Sequence, residues 1–232
     1  MAAVADLFST ATTRTRPEVG ERRFVLYNVG WKGYRGLLEI VGDHGPRIAY
    51  SRGNVELMSP LMPHEGFSRR LGRIVETIGE ELEIPIRPAR SMTLDREDLD
   101  RGIEPDESYY IASVGRIGGR MEFDFAVDPP PDLAIEVEIT NSILDKLEIY
   151  ARLGVPELWR FDGEDLTLLL LQAEGSYAES ARSAAFPFLP MDEVARFVLD
   201  PDMSDESRWG RSFRRWVREV LLPIYRNQAA PE

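Results

Sequence analysis

The sequence predicts an α/β fold: a mixed sheet flanked by helices, with a β-hairpin ahead and a helical extension behind. Two observations carry this. The hydrophobic pattern changes from helical to alternating and back along the middle of the chain, in the order helix, strand, strand, strand, helix, strand, and such order builds layered sheets. A length of 232 residues, 43% hydrophobic and 29% charged, is enough for a large core, and no apolar run approaches the roughly 18 residues a membrane span needs. The division expected is an arm over 1–22, a main domain over 23–200 and a C-terminal helix over 201–232 packed on that same domain.

The first 23 residues carry Arg14, Arg16, Arg22 and Arg23 among many Ser and Thr. They lack the apolar segment of a secretory signal and read as a loose arm on a cytoplasmic protein. Residues 23–27 and 36–41 read as short strands or turns around Gly30, Gly33 and Gly36. Residues 47–51 and 54–58 flank the turn Arg52-Gly53 as a hairpin, and Pro60 and Pro63 make the link after it irregular. From His64, the positions Phe67, Leu71, Ile74, Val75, Ile78 and Leu82 recur at helical spacing, with Arg69, Arg70, Arg73 and Glu76 on the other faces. Pro85 ends that helix, 86–94 reads as a strand, 95–101 as an acidic surface loop, and 109–111 as the next strand.

After Pro129-Pro130-Pro131 comes the most informative strand, 132–139. Leu133, Ile135, Val137 and Ile139 fall on one face, and Asp132, Ala134, Glu136 and Glu138 on the other. Asn141 or Ser142 caps a helix whose stripe is Ile143, Leu147, Tyr150 and Leu153 and whose end is Gly154. Residues 157–161 and 166–171 are strands around Asp162-Gly163, and short helical pieces broken by Pro187 and Pro190 occupy 184–199. A last helix over about 205–224 sets Trp209, Phe213, Trp216, Val217, Val220 and Leu221 against Arg211, Arg214, Arg215 and Arg218.

Charge and composition exclude several functions. The 28 Lys and Arg against 40 Asp and Glu give a net charge of −12, which argues against coating nucleic acid by bulk electrostatics but leaves room for local basic faces. The absence of cysteine excludes disulfides, thiolate metal sites and a cysteine nucleophile. The only histidines are His44 and His64, so a His-rich zinc site is excluded too, and any metal must be held mainly by oxygen. The only lysines are Lys32 and Lys146. Lysine, unlike arginine, can have its pKa moved and act on a water, so a rare lysine points to lysine chemistry against the plainer reading of a surface charge.

Four polar positions converge: Asp106, Glu136, Glu138 and Lys146. Glu136 and Glu138 point the same way, roughly 7 Å apart at the rise of a strand. Two carboxylates covered by a helix are expensive without a counter-charge, and a divalent cation removes the expense. Oxygen ligands without Cys suit Mg²⁺ or Mn²⁺. Lys146, early in the next helix, lies where an ammonium can reach a metal-bound water or a scissile phosphate. Tyr109 and Tyr110 read as buried strand aromatics in preference to base-stacking platforms.

Pro105-Asp106, with Glu136-Val137-Glu138 thirty residues later, resembles the PD-(D/E)XK nuclease superfamily with its restriction-endonuclease-like fold. More narrowly, the chain resembles the Uma-two-type endonuclease family in five ordered segments: 55–60 (VELMSP), His64-Glu65, 102–106 (GIEPD), 130–140 (PPDLAIEVEIT) and 146–159 (KLEIYARLGVPELW). The resemblance implies that Asp106 and Glu136 are metal ligands, with the Val137 carbonyl a further candidate. It also implies Mg²⁺ or Mn²⁺ as cofactor, hydrolysis of nucleic-acid phosphodiesters, DNA first, and a homodimer. Where the superfamily carries lysine two residues after the second acid, this chain has Glu138, and Lys146 takes the lysine's place from the helix. Glu138 is then either a third ligand or the ion-pair partner of Lys146. Glu56 matches a position at the pocket edge as outer ligand or lysine partner, and His64 as a substrate or proton contact. The alternative on the same fold is a binding module that has lost hydrolysis.

Overall fold

The structure, a computed structural model, describes residues 21–42, 45–90, 92–200 and 205–229. His44 and nearly all of the expected arm lie outside them. Strand β1 (Arg22–Leu26) is followed by helix α1 (Trp31–Val41), the hairpin β2 (Arg47–Ser51) and β3 (Asn54–Ser59), and the long helix α2 (Met62–Leu82). Next come β4 (Arg87–Pro88), β5 (Leu94–Arg96), a 3₁₀ turn, β6 (Arg101–Ile103), β7 (Glu107–Tyr110) and the short α3 (Val114–Ile117). Strand β8 (Leu133–Val137), helix α4 (Lys146–Leu153), β9 (Glu157–Phe161), β10 (Leu166–Leu171) and β11 (Tyr177–Glu179) continue the chain. The helices α5 (Met191–Val198), α6 (Glu206–Trp216) and α7 (Leu222–Ala229) complete it.

The strands form two sheets where one was expected. One is antiparallel, in the order β1-β3-β2-β6-β5; the other runs β11-β10-β9-β8-β7-β4 and contains the parallel pair β8 and β9. The layers reflect which faces are apolar. Leu133, Ile135 and Val137 of β8 share a core with Leu71, Ile74 and Ile78 of α2 and with Phe213 and Val217 of the C-terminal helices. Ala134, on the opposite face, packs with Ile149 and Tyr150 of α4, which in turn meet Ala49 and Ile103 of the other sheet. Helix α4 therefore lies between the two sheets, and α1 covers the far side of the antiparallel one, where Tyr34 stacks on Tyr50 at 4.6 Å.

Several expectations need correcting. Residues 36–41 are the second half of α1, not a strand: the glycines that suggest turns are tolerated because tertiary contacts of Tyr34 hold the helix. Gly102 of β6 is where Tyr34 passes, and a Cβ there would stand 2.2 Å from the tyrosine oxygen. The strand expected over 86–94 is only Arg87–Pro88, because Pro88 has no N–H to give the ladder and Arg90 is left-handed at φ 48°. The chain then crosses to the other sheet at β5. Helix α4 starts at Lys146, capped by Asp145 accepting from the Glu148 N–H, and Ile143 is 63% exposed instead of joining the stripe. The expected arm ends too late, since Arg22 already pairs with Ser59.

The hairpin forms as read, with Arg52 (φ 47°) and Gly53 (φ 80°) both in the left-handed region that a two-residue turn demands. At the C-terminus the buried Trp209, Phe213, Val217 and Leu221 fall four residues apart. An α-helix would rotate that row off the core; the π turn at Val217–Leu221 widens the helix and returns it. Val220, expected in the row, is 43% exposed.

Helix α4 is tied to the antiparallel sheet by Arg101, 2% exposed, whose guanidinium donates to both oxygens of Glu148 at 2.7 and 2.8 Å. The Arg101 hydrogen bonds hold the Glu148 carboxyl below its ordinary pKa against burial. Its folded pKa being depressed, this contribution is present above the unfolded value and is lost as pH falls through the folded one. Glu148→Gln is expected to cost roughly 2 kcal/mol at pH 7, below the range for a fully buried pair because Glu148 is half-buried. Thermal melts should show about a 4–8 °C drop that closes as pH falls below about 4; a pH-independent difference would refute the ion-pair account.

Candidate active site

The alternation of β8 decides where Glu136 goes. It shares the Ala134 face and therefore points between the sheets toward α4, where it is 2% exposed. Strand β7 runs antiparallel to β8 with Glu107 opposite Ile135, so the register carried one residue back sets Asp106 beside Glu136. Asp106 sits immediately after Pro105, where the chain leaves β6 in one sheet for β7 in the other. Its Oδ2 accepts the Val137 N–H at 2.8 Å. Lys146, first residue of α4 and 8% exposed, donates from Nζ to Glu136 Oε1. Tyr150, one helical turn on and so on the same face, donates its hydroxyl to Glu136 Oε2 at 2.6 Å. The structure thus brings together Asp106, Glu136 and Lys146, from two adjoining strands and the helix after them.

The charges settle unequally. Burial works against ionisation of Asp106, but the neighbouring His64, the Lys146 ammonium and the Val137 N–H outweigh it and hold the carboxyl below its ordinary range. Burial and the Asp106 charge push Glu136 up despite Lys146 and Tyr150. Burial would depress Lys146, but the two acids overcome it and raise the ammonium's pKa. Lys146 is shared by the two interacting acids, with Arg47 Nε a further 3.7 Å from Asp106 Oδ1, and the acids titrate as a unit.

A second group of side chains adjoins the first. His64, in the first turn of α2 and fully buried, sets Nε2 3.2 Å from Asp106 Oδ2 and 3.7 Å from Glu21 Oε1. Burial would lower its pKa, but Asp106, Glu21 and Glu136 raise it. Glu56 is not a partner of Lys146: it binds Arg23 at 2.5 Å, the Ser142 hydroxyl at 2.9 Å and the Ile143 N–H at 2.7 Å. Burial opposes its ionisation, yet those donors lower its pKa. Arg23 also binds Glu21 at 2.7 Å and the Thr140 carbonyl at 2.9 Å. Glu138 likewise does not reach Lys146: it pairs with Arg160 at 3.1 Å and accepts the Ser142 N–H at 2.6 Å. Arg160 stands in register with Glu136 across β9 and β8, so its guanidinium, and not Lys146, takes the Glu138 carboxylate. Tyr109 and Tyr110 are fully buried.

Glu21, Arg23 and Tyr150 escape the sequence reading. Glu21 and Arg23 carry no motif and reach the site through the pairing of β1 with β3. Tyr150 was legible in principle, four residues after Lys146 on one helical face, but the same spacing marks it as core.

The donor set suits a hard divalent cation. Buried Glu21 Oε1 has no hydrogen-bond partner, an expense that a cation nearby would relieve. Among the described residues no three His, Asp or Glu side chains form a complete cage. An ion such as Mg²⁺ takes one or two carboxylates and fills its shell with water and substrate phosphate. Asp106 and Glu136 are the side chains that would hold it, with the Val137 carbonyl as further candidate, and Lys146 would have to yield Glu136 Oε1.

The mixed α/β frame brings two acids from adjoining strands and a lysine from the next helix to one place. Residues 34–200 match the Uma2 family, described as "Putative restriction endonuclease", and the chain belongs to that family. Among solved structures it is similar to one titled a "putative nuclease belonging to DUF820" from Anabaena variabilis, at 17% identity and a TM-score of 0.47, over 66% of this chain and 92% of that one. No curated protein matches it. Among the described residues no helix is long and apolar enough to cross a membrane.

Proposed function

We propose that the protein is a divalent-metal-dependent endonuclease that hydrolyses phosphodiester bonds of nucleic acid, DNA first, with Mg²⁺ or Mn²⁺ held by Asp106 and Glu136. The observation that supports it best is the meeting of Lys146 with that acid pair in one buried place. When bound, the ion supplies Lewis-acid polarisation of the phosphate and a lowered pKa for water. Lys146, held protonated by its two acids, serves as a cation and not as a base: it orients water and stabilises charge developing on the phosphate. Tyr150 fixes the Glu136 carboxylate that Lys146 contacts, and His64 bears on Asp106. Glu56, with Arg23, anchors residues 140–143 between β8 and α4, which keeps Lys146 in register with Glu136.

The test is incubation of purified protein with supercoiled plasmid and single-stranded DNA, with Mg²⁺, Mn²⁺ or EDTA. Nicking or linearisation that needs the metal is the expected result. DNA binding without cutting would instead establish the binding module, and neither would end both readings. Cutting both strands of a duplex takes two such centres, so a homodimer belongs to this reading, checked by light scattering in solution.

A further inference from the structure

We propose that Arg47 and Arg90 form a cradle that holds backbone phosphates of the nucleic acid beside Asp106. This rests on the nuclease reading and adds to it the path by which the substrate enters. Both arginines line one groove together with Pro46, Ala89, Thr93 and Glu104. Arg47 and Glu104 also line the narrow cleft that contains Glu56, Met58 and Lys146, so the groove adjoins the site.

The two guanidinium groups have donors to spare. Arg47 projects from β2 with its side chain 27% exposed, and its Nε is 3.7 Å from Asp106 Oδ1, beyond hydrogen-bonding distance. Arg90, 56% exposed, makes a single long contact to Glu107 Oε1 at 3.3 Å. Other arginines of the molecule are engaged: Arg23 with Glu21 and Glu56, Arg101 with both oxygens of Glu148, Arg214 and Arg218 with Glu80 and Glu81. Among the described residues that line the groove the one acid is Glu104, which accepts the Ile48 N–H at 2.8 Å and the Thr93 hydroxyl at 3.2 Å.

The placement of Arg90 is built into the backbone. Its left-handed conformation, φ 48°, is costly for a residue with a Cβ. It is held from both sides, because its N–H donates to the Ser108 carbonyl at 3.2 Å and its carbonyl accepts the Ser108 hydroxyl at 2.9 Å. A guanidinium presents a planar fork that matches phosphate oxygens. On a chain of net charge −12, two such forks next to the acids provide a local attraction that the whole surface does not.

Binding of ~20-nucleotide duplex and single-stranded DNA, measured by fluorescence anisotropy in EDTA across a salt series, tests this without cleavage. The double variant Arg47→Ala/Arg90→Ala is expected to bind at least about tenfold more weakly, and its log K against log salt slope on duplex should be shallower by about two, near one per phosphate contact. Arg47→Lys/Arg90→Lys should recover most of the slope. Arg196→Ala, a surface control paired with Glu193, should leave it unchanged. Should the double variant prove unstable in a thermal melt, the exposed single change Arg90→Ala serves, with a slope lower by about one. A wild type that binds with a slope the variants do not alter would overturn the cradle and leave the nuclease reading intact. A wild type that neither binds nor cuts would overturn both.

Discussion

Asp106→Asn is expected to lower metal-dependent cleavage by on the order of 10³-fold while the protein stays folded. The carboxylate is where two requirements meet: it is buried at 3% exposure, and it stands beside Glu136 across β7 and β8. An amide removes the charge an ion needs from this side, and the transition-state stabilisation contributed by a bound metal is several kcal/mol, each 1.4 of which is tenfold in rate. Asparagine keeps an oxygen that can accept the Val137 N–H now bound at 2.8 Å, so the link between the two strands survives. One fewer buried anion also relieves the repulsion that raises Glu136. Loss of the charge that His64 and Lys146 neutralise works the other way, so the melting temperature should fall by about 4–8 °C. Plasmid nicking, a thermal melt and a Mn²⁺ titration by calorimetry check this together. Wild-type cleavage in the variant would show that the activity comes from elsewhere and remove Asp106 from the reaction.

The legible part of this centre was the part carried by period and scarcity. The alternation through residues 133–137 assigned Glu136 to the face opposite Leu133, Ile135 and Val137, and that is the face α4 covers. Lys146 stood out as one of two lysines, and the chain does deliver it to Glu136. Glu138 was read as a third ligand or the partner of Lys146; in the structure its carboxylate meets Arg160, which stands in register with Glu136 on β9, and the Ser142 N–H, contacts that alternation along one strand does not show. The long helix α2 and the hairpin declared themselves by local pattern. Helix α1 did not: its glycines weaken the local signal, and burial of Tyr34 against another element is what stabilises it. The division into two sheets was equally hidden, since it turns on Pro105 and on the crossing between Arg90 and Leu94, where neighbouring residues serve different sheets. Long-range partners such as Glu21 and Arg23 leave no trace at their own positions.

Lys146→Met should separate cation binding from catalysis. In the present structure the ammonium is the counter-charge of two buried acids, Glu136 by direct hydrogen bond and Asp106 through space. Replacing it with an apolar chain of similar length leaves Glu136 and Asp106 facing each other with the Tyr150 hydroxyl and the Val137 N–H as donors, His64 beside them and Arg47 3.7 Å from Asp106. Breaking a buried pair in this way costs roughly 3–5 kcal/mol, so the melting temperature without metal should fall by about 6–20 °C. The same change frees Glu136 Oε1, which an incoming ion must otherwise win from the lysine. The variant is therefore expected to bind Mn²⁺ or Mg²⁺ more tightly than the wild type and to recover much of its lost stability when the metal is added, because a ligand that binds only the folded form stabilises it by mass action. Cleavage should nevertheless drop by about 10²–10³-fold, the scale for removing a donor that acts on developing charge. Tighter metal binding with lost hydrolysis is a combination that a merely structural lysine does not produce: such a residue would lower stability and metal affinity together. That joint loss, read from paired calorimetry and melts, would remove Lys146 from the chemistry and leave it as packing.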